Sequence, residues 1–209
     1  MKNKEQFMEY LDELYPDATC ELNYHHDYEL LIAVILSAQC TDKRVNMVTK
    51  ELFGQYTLQE ISKLDLKILE NIIRPVGTHT RKAIYIKSVA TSLLEQYNGV
   101  VPNDRNYLES LPGVGHKTCN VVLSNLYNEP CFAVDTHVQR VSKRLGFVKE
   151  QDNVTVIEKK LMHLFPEEKW SRMHHQMVLF GRYHCKSIKP NCQECKIKAS
   201  CKHYQKSTK

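Results

Sequence analysis

The chain has 209 residues, of which 42% are hydrophobic and 25% charged, so it can bury a core as one large or two small domains, and disorder is excluded. Seven glycines and seven prolines exclude collagen-like and low-complexity classes and leave few residues for the turns of an all-β protein. The formal net charge of +5, from 29 basic and 24 acidic residues, favours a polyanionic partner only weakly.

The sequence predicts no membrane segment. Its longest apolar run, around residues 30–36, is well short of the roughly 18 apolar residues of a spanning helix. The N-terminus has basic residues but no apolar stretch behind them, so we expect no signal peptide and a cytosolic protein. In a reducing compartment, eight cysteines favour metal or cluster ligation over disulfides.

Apolar residues recur at helical spacing along most of the chain. A first helix carries Phe7, Leu11 and Leu14 on one face and ends before Pro16. Further helices are predicted over residues 27–36, 42–54, 57–63, 65–73, 80–97, 104–111, 116–127, 136–145, 153–165 and 169–183. The segment 27–36 is apolar nearly all round, which is typical of a helix at the centre of a bundle. The predicted fold class is therefore all-α.

A compact turn, LPGVG over residues 111–115, joins two of these helices. Glycine permits positive φ and close approach of the backbone to a ligand. The amides of Gly113 and Gly115, beside the start of the next helix, can therefore point at a phosphate oxygen. Such a device contacts what all DNA sequences share, so it suits a protein that recognises structure or damage. The alternative is a turn that only connects two helices.

Lys117 falls in the first turn of the following helix. The helix dipole and the neighbouring His116 disfavour its charged form, which would make the amine a nucleophile toward an electrophilic carbon. The alternative, of equal weight on these grounds, is a lysine that pairs with a DNA phosphate.

Asp135, in FAVDTHV over residues 132–138, lies at the start of another predicted helix. Asp135 or Thr136 is a natural N-cap there. Capping is compatible with catalysis, because a carboxylate fixed by helix-terminal amides stays ionised and can stabilise positive charge developing on a sugar ring.

The last 25 residues are rich in lysine and contain four cysteines in the spacing C-x6-C-x2-C-x5-C: Cys185, Cys192, Cys195 and Cys201. Few large apolar side chains are present, so a metal would have to organise this segment. Zinc and a [4Fe-4S] cluster both accept four thiolates, and the choice stays open on chemistry alone. The other cysteines are scattered among apolar neighbours, where we expect structural roles.

Together these motifs resemble the endonuclease III family of bifunctional DNA glycosylase/AP lyases. The resemblance rests on ELLIAVILSAQCTD, LPGVGHKTCNVV, FAVDTHVQRVSKR and GRYHC with three more cysteines, and extends from about Glu21 to Tyr204. It implies a two-lobed helix-hairpin-helix fold with a C-terminal iron-sulfur cluster loop. One lobe is a six-helix domain over residues 21–129, and the other combines residues 1–20 and 130–209, with the cluster over 185–201.

The resemblance also implies an activity. The enzyme removes oxidised or ring-saturated pyrimidines from duplex DNA and cleaves the strand at the abasic site by β-elimination through a lysine Schiff base. Lys117 takes the place of the nucleophile, Asp135 that of the catalytic carboxylate, and the four clustered cysteines those of the [4Fe-4S] ligands. We expect a monomer that acts on double-stranded DNA containing damaged pyrimidines or abasic sites in the bacterial cytosol, at the nucleoid, without membrane contact.

Several residues are candidates for DNA contact. Gln39 matches the family residue inserted where the damaged base was, although a polar residue closing a helix is the alternative. The other candidates lie in the two central motifs and on a lysine rim around the cysteines: Gly113, Val114, Gly115, His137, Lys186, Lys189 and Lys196. A solvated basic surface is the alternative for the lysines.

The segment 77–83, GTHTRKA, departs from the family pattern. A bulky apolar or aromatic residue in the family follows the glycine and enters the gap in the DNA as a second wedge. Thr78 stands there in this chain and is too short to fill that role equally well, so His79 is the alternative wedge.

Two rival functions remain. An adenine-mismatch glycosylase is disfavoured because that relative lacks the lysine at position 117 and carries an additional C-terminal domain. A non-catalytic DNA-binding protein, with the hairpin and a structural metal, would be eliminated by strand cleavage at an abasic site.

Overall fold

The computed structural model describes residues 2–207, and no β-strand occurs among them. Its helices are α1 (Lys2–Leu14), α2 (Asp27–Leu36), α3 (Asp42–Gln55), α4 (Leu58–Lys63), α5 (Leu66–Ile73), α6 (His79–Tyr97), α7 (Arg105–Ser110), α8 (His116–Tyr127), α9 (Thr136–Leu145), α10 (Val154–Leu164), α11 (Trp170–Leu179) and α12 (Lys202–Ser207). The prediction of an all-α fold is confirmed. No helix in this range is long and apolar enough to cross a membrane.

Two compact units make up the fold. Residues 20–127 form one of them, and the chain up to Thr19 together with the chain from Asn128 onward forms the other. We call them the central unit and the terminal unit. The hairpin and Lys117 belong to the central unit, and Asp135 and the clustered cysteines belong to the terminal unit.

The central unit is built around α2. Every residue from Glu29 to Leu36 is buried, as the all-round apolar pattern predicts. The one charged side chain in this run, Glu29, turns back to accept hydrogen bonds from the amides of His25 at 2.7 Å and His26 at 3.3 Å. Its carboxylate thereby satisfies donors at the start of the helix, so its burial is compensated.

The terminal unit joins the N-terminal helix to the last third of the chain. Phe7 and Leu11 of α1 are fully buried, and the ring of Phe7 meets that of Phe180 edge-on at a centroid distance of 5.7 Å. The Gln176 side chain, 1% exposed, donates a hydrogen bond of 2.8 Å to Asp12. Side chains from opposite ends of the sequence thus form a single core.

Two parts of the C-terminal region differ from the predicted elements. The helix predicted to continue to residue 183 ends at Leu179 and is followed by a π-helical turn, Phe180–His184. The Cys185 amide donates to the Phe180 carbonyl at 2.7 Å, which is the i to i+5 pattern of that turn. The lysine-rich end, predicted without a helix, contains the short helix α12.

Candidate functional site

The first glycine of the hairpin is required by the fold. Gly113 has φ +83°, a conformation that side chains with a Cβ rarely adopt. A Cβ at this position would lie 2.5 Å from Cδ2 of Tyr85 and 3.3 Å from Cγ2 of Ile35. Both the backbone conformation and the packing of the central unit therefore exclude a larger residue here.

The second glycine meets no such constraint. Gly115 does not have positive φ, and a Cβ built on it would have no atom of the protein within 4 Å. It is exposed, whereas the intervening Val114 is buried at 4% exposure. Val114 therefore packs inward, and its amide donates to the Leu111 carbonyl at 3.1 Å, whereas the space beside Gly115 is available to a ligand.

Lys117 is the second residue of α8 and is half-buried. The helix behind it is tied to α7 by a polar network: His116 Nδ1 lies 3.1 Å from Glu109 Oε1, and Arg105 Nη1 donates to Glu109 at 3.2 Å and to Asn120 at 2.9 Å. Although burial opposes it, the hydrogen bonds from His116 and Arg105 lower the pKa of the Glu109 carboxyl. The network fixes the start of α8, where Lys117 lies.

Asp135 is the N-cap of α9, as predicted. Its Oδ1 accepts a hydrogen bond of 2.8 Å from the Val138 amide, and its side chain is half-buried rather than enclosed. The carboxylate is therefore held by a helix N-terminus, where the dipole favours negative charge. It is a fixed anion that still has contact with the surface.

His137, predicted to contact DNA, is packed into the terminal unit. Its Nδ1 lies 3.2 Å from Arg140 Nη2, and a Cβ on Gly181 would come within 2.7 Å of the His137 Cβ. Burial lowers the pKa of this imidazole, and the positive charges of Arg140 and Arg182 lower it further, whereas the negative charge of Asp135 raises it. The neutral ring is thus favoured.

Two predicted DNA-probing residues share an unusual backbone. Gln39 has φ +56° and Thr78 has φ +46°, and both are exposed. For a β-branched residue such as Thr78 this conformation is a clear outlier. His79 is only half-exposed, and its Nδ1 is buried 4.0 Å from Glu70 Oε2. Thr78, not His79, therefore forms the exposed tip of its loop.

Lys82 was not identified as a functional residue from the sequence. Its side chain is buried, and its Nζ donates to three backbone carbonyls, one at the end of α2 and one in each of the two loops that carry Gln39 and Thr78. A signal was available, because Lys82 stands in the i, i+4, i+7 register of the buried residues Ile86 and Val89.

The four C-terminal cysteines line one cavity of the terminal unit, together with Arg144 and His203. Burial raises the pKa of the Cys195 thiol to about 11, so a positively charged partner is needed to hold it as a thiolate at neutral pH. Arg144 Nη1 donates to the Lys186 carbonyl at 2.6 Å and lies 3.4 Å from Cys185 Sγ. Among residues 2–207, no three His, Cys, Asp or Glu side chains surround the position of a single metal ion.

The lysines around this cavity are arranged differently from one another. Lys186 and Lys189 are exposed, and Lys189 has φ +50°. Lys196 instead forms an ion pair with Glu13 of α1. Lys196 is nevertheless exposed, so its contact with a phosphate stays a prediction, as it does for Lys186 and Lys189, whose side chains also face solvent.

Comparisons with known proteins agree with this geometry. Residues 32–167 match the HhH-GPD superfamily of base excision DNA repair proteins. The chain is 45% identical to endonuclease III of Bacillus subtilis (strain 168) over 210 aligned residues, covering 100% of this chain and 96% of that protein. It is also similar to a solved trapped endonuclease III–DNA covalent intermediate, with a TM-score of 0.94 and 46% identity over 100% of this chain and 99% of that one. A solved non-covalent endonuclease III–DNA complex matches with a TM-score of 0.94 and 47% identity over 100% and 98%.

Proposed function

The chain belongs to the endonuclease III family, within the HhH-GPD superfamily of base excision DNA repair proteins, and on this premise we propose that Lys117 and Asp135 perform its chemistry. The protein is a DNA glycosylase and AP lyase that removes damaged pyrimidines from DNA and cleaves the strand at the abasic site. Its action on DNA places it, in this proposal, at the nucleoid of a bacterial cytosol.

Lys117 is the proposed nucleophile. Its neutral amine attacks C1′ of the damaged nucleotide and displaces the base, and the C1′–O4′ bond then breaks to give a protonated imine at C1′. The imine acidifies C2′, so that loss of a C2′ proton expels the 3′ phosphate by β-elimination. This assignment is supported by the position of Lys117 in the first turn of α8, directly after the hairpin. It is also supported by the similarity to an endonuclease III captured in covalent linkage to DNA, because such a linkage requires a nucleophilic side chain.

Asp135 is the proposed electrostatic partner. Positive charge develops on the sugar ring as the base departs, and a carboxylate held by the N-terminus of α9 can stabilise it without reorganising. The bond from the Val138 amide orients one oxygen. The second oxygen is the one we assign to the sugar.

The hairpin is the proposed DNA-backbone clamp. The open space at Gly115 supports this role, because a phosphate oxygen can approach the backbone amide of a residue that has no side chain in the way. Contacts of this kind position the duplex without selecting a base sequence. Lys186 and Lys189, with their exposed ammonium groups, are proposed to pair with phosphates as well.

We infer that the four cysteines hold a [4Fe-4S] cluster. Four thiol side chains around one cavity are a donor set that fits it. When bound, the cluster supplies a structural centre that ties the loop over residues 185–201 together. Arg140 and Arg144 of α9 already hold that loop through the Cys185 carbonyl, each at 3.3 Å.

We propose domain boundaries at residues 21–129 for the six-helix domain and 1–20 plus 130–209 for the second lobe.

The test of the nucleophile is borohydride trapping on duplex DNA that contains an abasic site. Lys117→Gln should lose both the trapped adduct and strand cleavage while it still binds, because the hairpin amides are unchanged. Lys87→Gln is the matched control, since Lys87 is another half-buried lysine of the central unit, whose Nζ donates to the Leu64 carbonyl. A borohydride-stable adduct in Lys117→Gln would show that a different amine is the nucleophile.

The cofactor is tested by metal analysis of protein purified without air. We expect iron and acid-labile sulfide, both reduced in Cys195→Ser and retained in the control Cys20→Ser, whose thiol lies in the central unit. Stoichiometric zinc without iron would overturn the cluster assignment. Loss of iron in Cys195→Ser should also destabilise the terminal unit, because metal binding is coupled to folding.

A further inference from the structure

Lys82 lies four residues into α6 and is 4% exposed. A lysine ammonium has three donors and no acceptor. All three are used here, on the carbonyls of Leu36 at 2.9 Å, Ala38 at 2.8 Å and Val76 at 3.0 Å. Lys82 therefore joins two separate segments of the chain. The first contains Leu36 and Ala38, 46 and 44 residues before Lys82, and the second contains Val76, 6 residues before it.

The acceptors lie close to Gln39 and Thr78, the two predicted DNA-probing residues with positive φ. Ala38 directly precedes Gln39, in what we call the Gln39 loop (residues 37–41), and Val76 begins the Thr78 loop (residues 76–78). The backbone of Lys82 contributes as well, since its amide donates to the Thr78 carbonyl at 3.1 Å. One residue therefore binds both loops within one or two positions of their tips.

The electrostatics of the site suit this role. A buried ammonium is costly unless its donors are satisfied, and burial lowers the pKa of Lys82. Leu36 is the last residue of α2, so its carbonyl belongs to the negative end of that helix dipole. Removing the ammonium would leave three carbonyls without this donor, those of Leu36 and Val76 in buried positions, and would release both loops together.

Strained backbone conformations persist only where the surrounding structure determines them. Gln39 and Thr78 are held in such conformations at the surface, and the link through Lys82 is the feature common to both loops. We propose that Lys82 is a positioning residue for lesion recognition, which fixes the Gln39 loop and the Thr78 loop as one preformed unit that enters the opened duplex. This inference rests on the proposed DNA-probing role of Gln39 and of residues 78–79.

A preformed pair of loops matters only when the enzyme has to open paired DNA. The experiment therefore compares two substrates under single-turnover conditions: a damaged pyrimidine in a fully paired duplex, and an abasic site inside an unpaired bubble. Lys82→Met removes the ammonium with little change in volume. Lys87→Met is the matched control, because Lys87 follows on the same helix and bonds to the Leu64 carbonyl at 2.6 Å.

With Lys82→Met, the rate on the paired duplex should fall roughly tenfold to a hundredfold, the range expected when a positioning element is misplaced. The rate on the bubble should change by less than about threefold. A 2-aminopurine placed opposite a non-cleavable abasic analogue should show less unstacking on binding. Lys87→Met should leave the ratio of the two rates unchanged.

An equal loss on both substrates would indicate a merely structural lysine and overturn the proposal, as would no loss on either. If Lys82→Met does not fold, Lys82→Gln keeps part of the donor set and should show the same selective loss at smaller size. In the Gln39→Ala background, Lys82→Met should have a smaller effect than in the wild type, because both act through one loop. Fully additive effects would contradict the proposed coupling.

The controls separate this inference from the proposals beneath it. Wild-type protein that cleaves neither substrate would refute the catalytic assignment. Normal activity of Gln39→Ala on the paired duplex would refute the DNA-probing role. Impaired Gln39→Ala with an unimpaired Lys82→Met would refute the role of Lys82 alone.

Discussion

The two hairpin glycines should fail in different ways when each is replaced by alanine. Gly113→Ala places a Cβ in a left-handed conformation, which costs about 1–2 kcal/mol, and forces it against the Tyr85 ring, 2.5 Å away. Overpacking of this kind adds about 1–3 kcal/mol. The sum, roughly 2–5 kcal/mol, is a large fraction of the stability of an ordinary domain.

Gly115→Ala has neither problem, because φ is not positive and the new methyl group meets no protein atom within 4 Å. Alanine is a poorer residue than glycine at the start of a helix, which limits the expected loss to about 1 kcal/mol. The methyl group instead occupies the space proposed for a phosphate. One charge-assisted hydrogen bond is worth about 1.5–3 kcal/mol, so DNA affinity should fall roughly tenfold to a hundredfold.

Thermal unfolding and DNA binding measured on the same preparations distinguish the two cases. At about 2–4 °C per kcal/mol, Tm should fall by roughly 4–20 °C in Gly113→Ala and by no more than about 4 °C in Gly115→Ala. Affinity is measured on a duplex with a non-cleavable abasic analogue at one salt concentration, because phosphate contacts are salt-dependent. Unchanged affinity in Gly115→Ala, or a Tm loss as large as that of Gly113→Ala, would refute the argument.

Three further predictions concern single side chains. Asp135→Asn keeps an N-cap oxygen but loses the charge, so the rate of base excision should fall at least roughly a hundredfold with little change in Tm. Asp135→Ala should in addition lose about 0.5–2 kcal/mol of stability, and equal Tm values for the two variants would argue against the cap. Thr78→Leu should tighten binding to the abasic-analogue duplex, because a larger apolar side chain offsets part of the cost of unstacking the DNA, for which a well-placed aromatic supplies about 1–3 kcal/mol. No gain from leucine with a large loss in His79→Ala would assign the wedge to His79. Because folding lowers the pKa of Glu109, its contribution to the folding free energy is present above the ordinary glutamate pKa and is lost as the pH falls through the folded value. Glu109→Gln should therefore flatten the acid side of the plot of Tm against pH, and an unchanged plot would contradict this.

Capping residues and turn glycines in the sequence are sufficient to predict the helices around the candidate site. The bounds of α8 and α9 are as predicted. The LPGVG turn precedes α8, and α9 lies between the cap Asp135 and Gly146, which ends it with φ +80°. The π-helical turn was missed because its residues continue the apolar pattern of α11, and periodicity does not distinguish an i+4 bond from an i+5 bond.

Other features depend on contacts that no local rule contains. The three acceptors of Lys82 are backbone carbonyls, two of them more than 40 residues away in sequence, so its helical register could indicate burial but not the groups that satisfy its ammonium. Thr78 is β-branched, and such residues avoid positive φ. The ion pair of Lys196 likewise requires Glu13 from the other end of the chain.

The interleaving of the chain ends constrains the order in which this protein can be completed during synthesis. The central unit uses an uninterrupted stretch, residues 20–127, and all of it has been translated before the terminal unit begins its second part. Domains fold on the ribosome as their residues emerge, so Phe7 on α1 cannot pack against the ring of Phe180 until that residue has been translated. The nascent N-terminal helix therefore carries an exposed apolar face through most of translation, and the unit that bears the cysteines closes last.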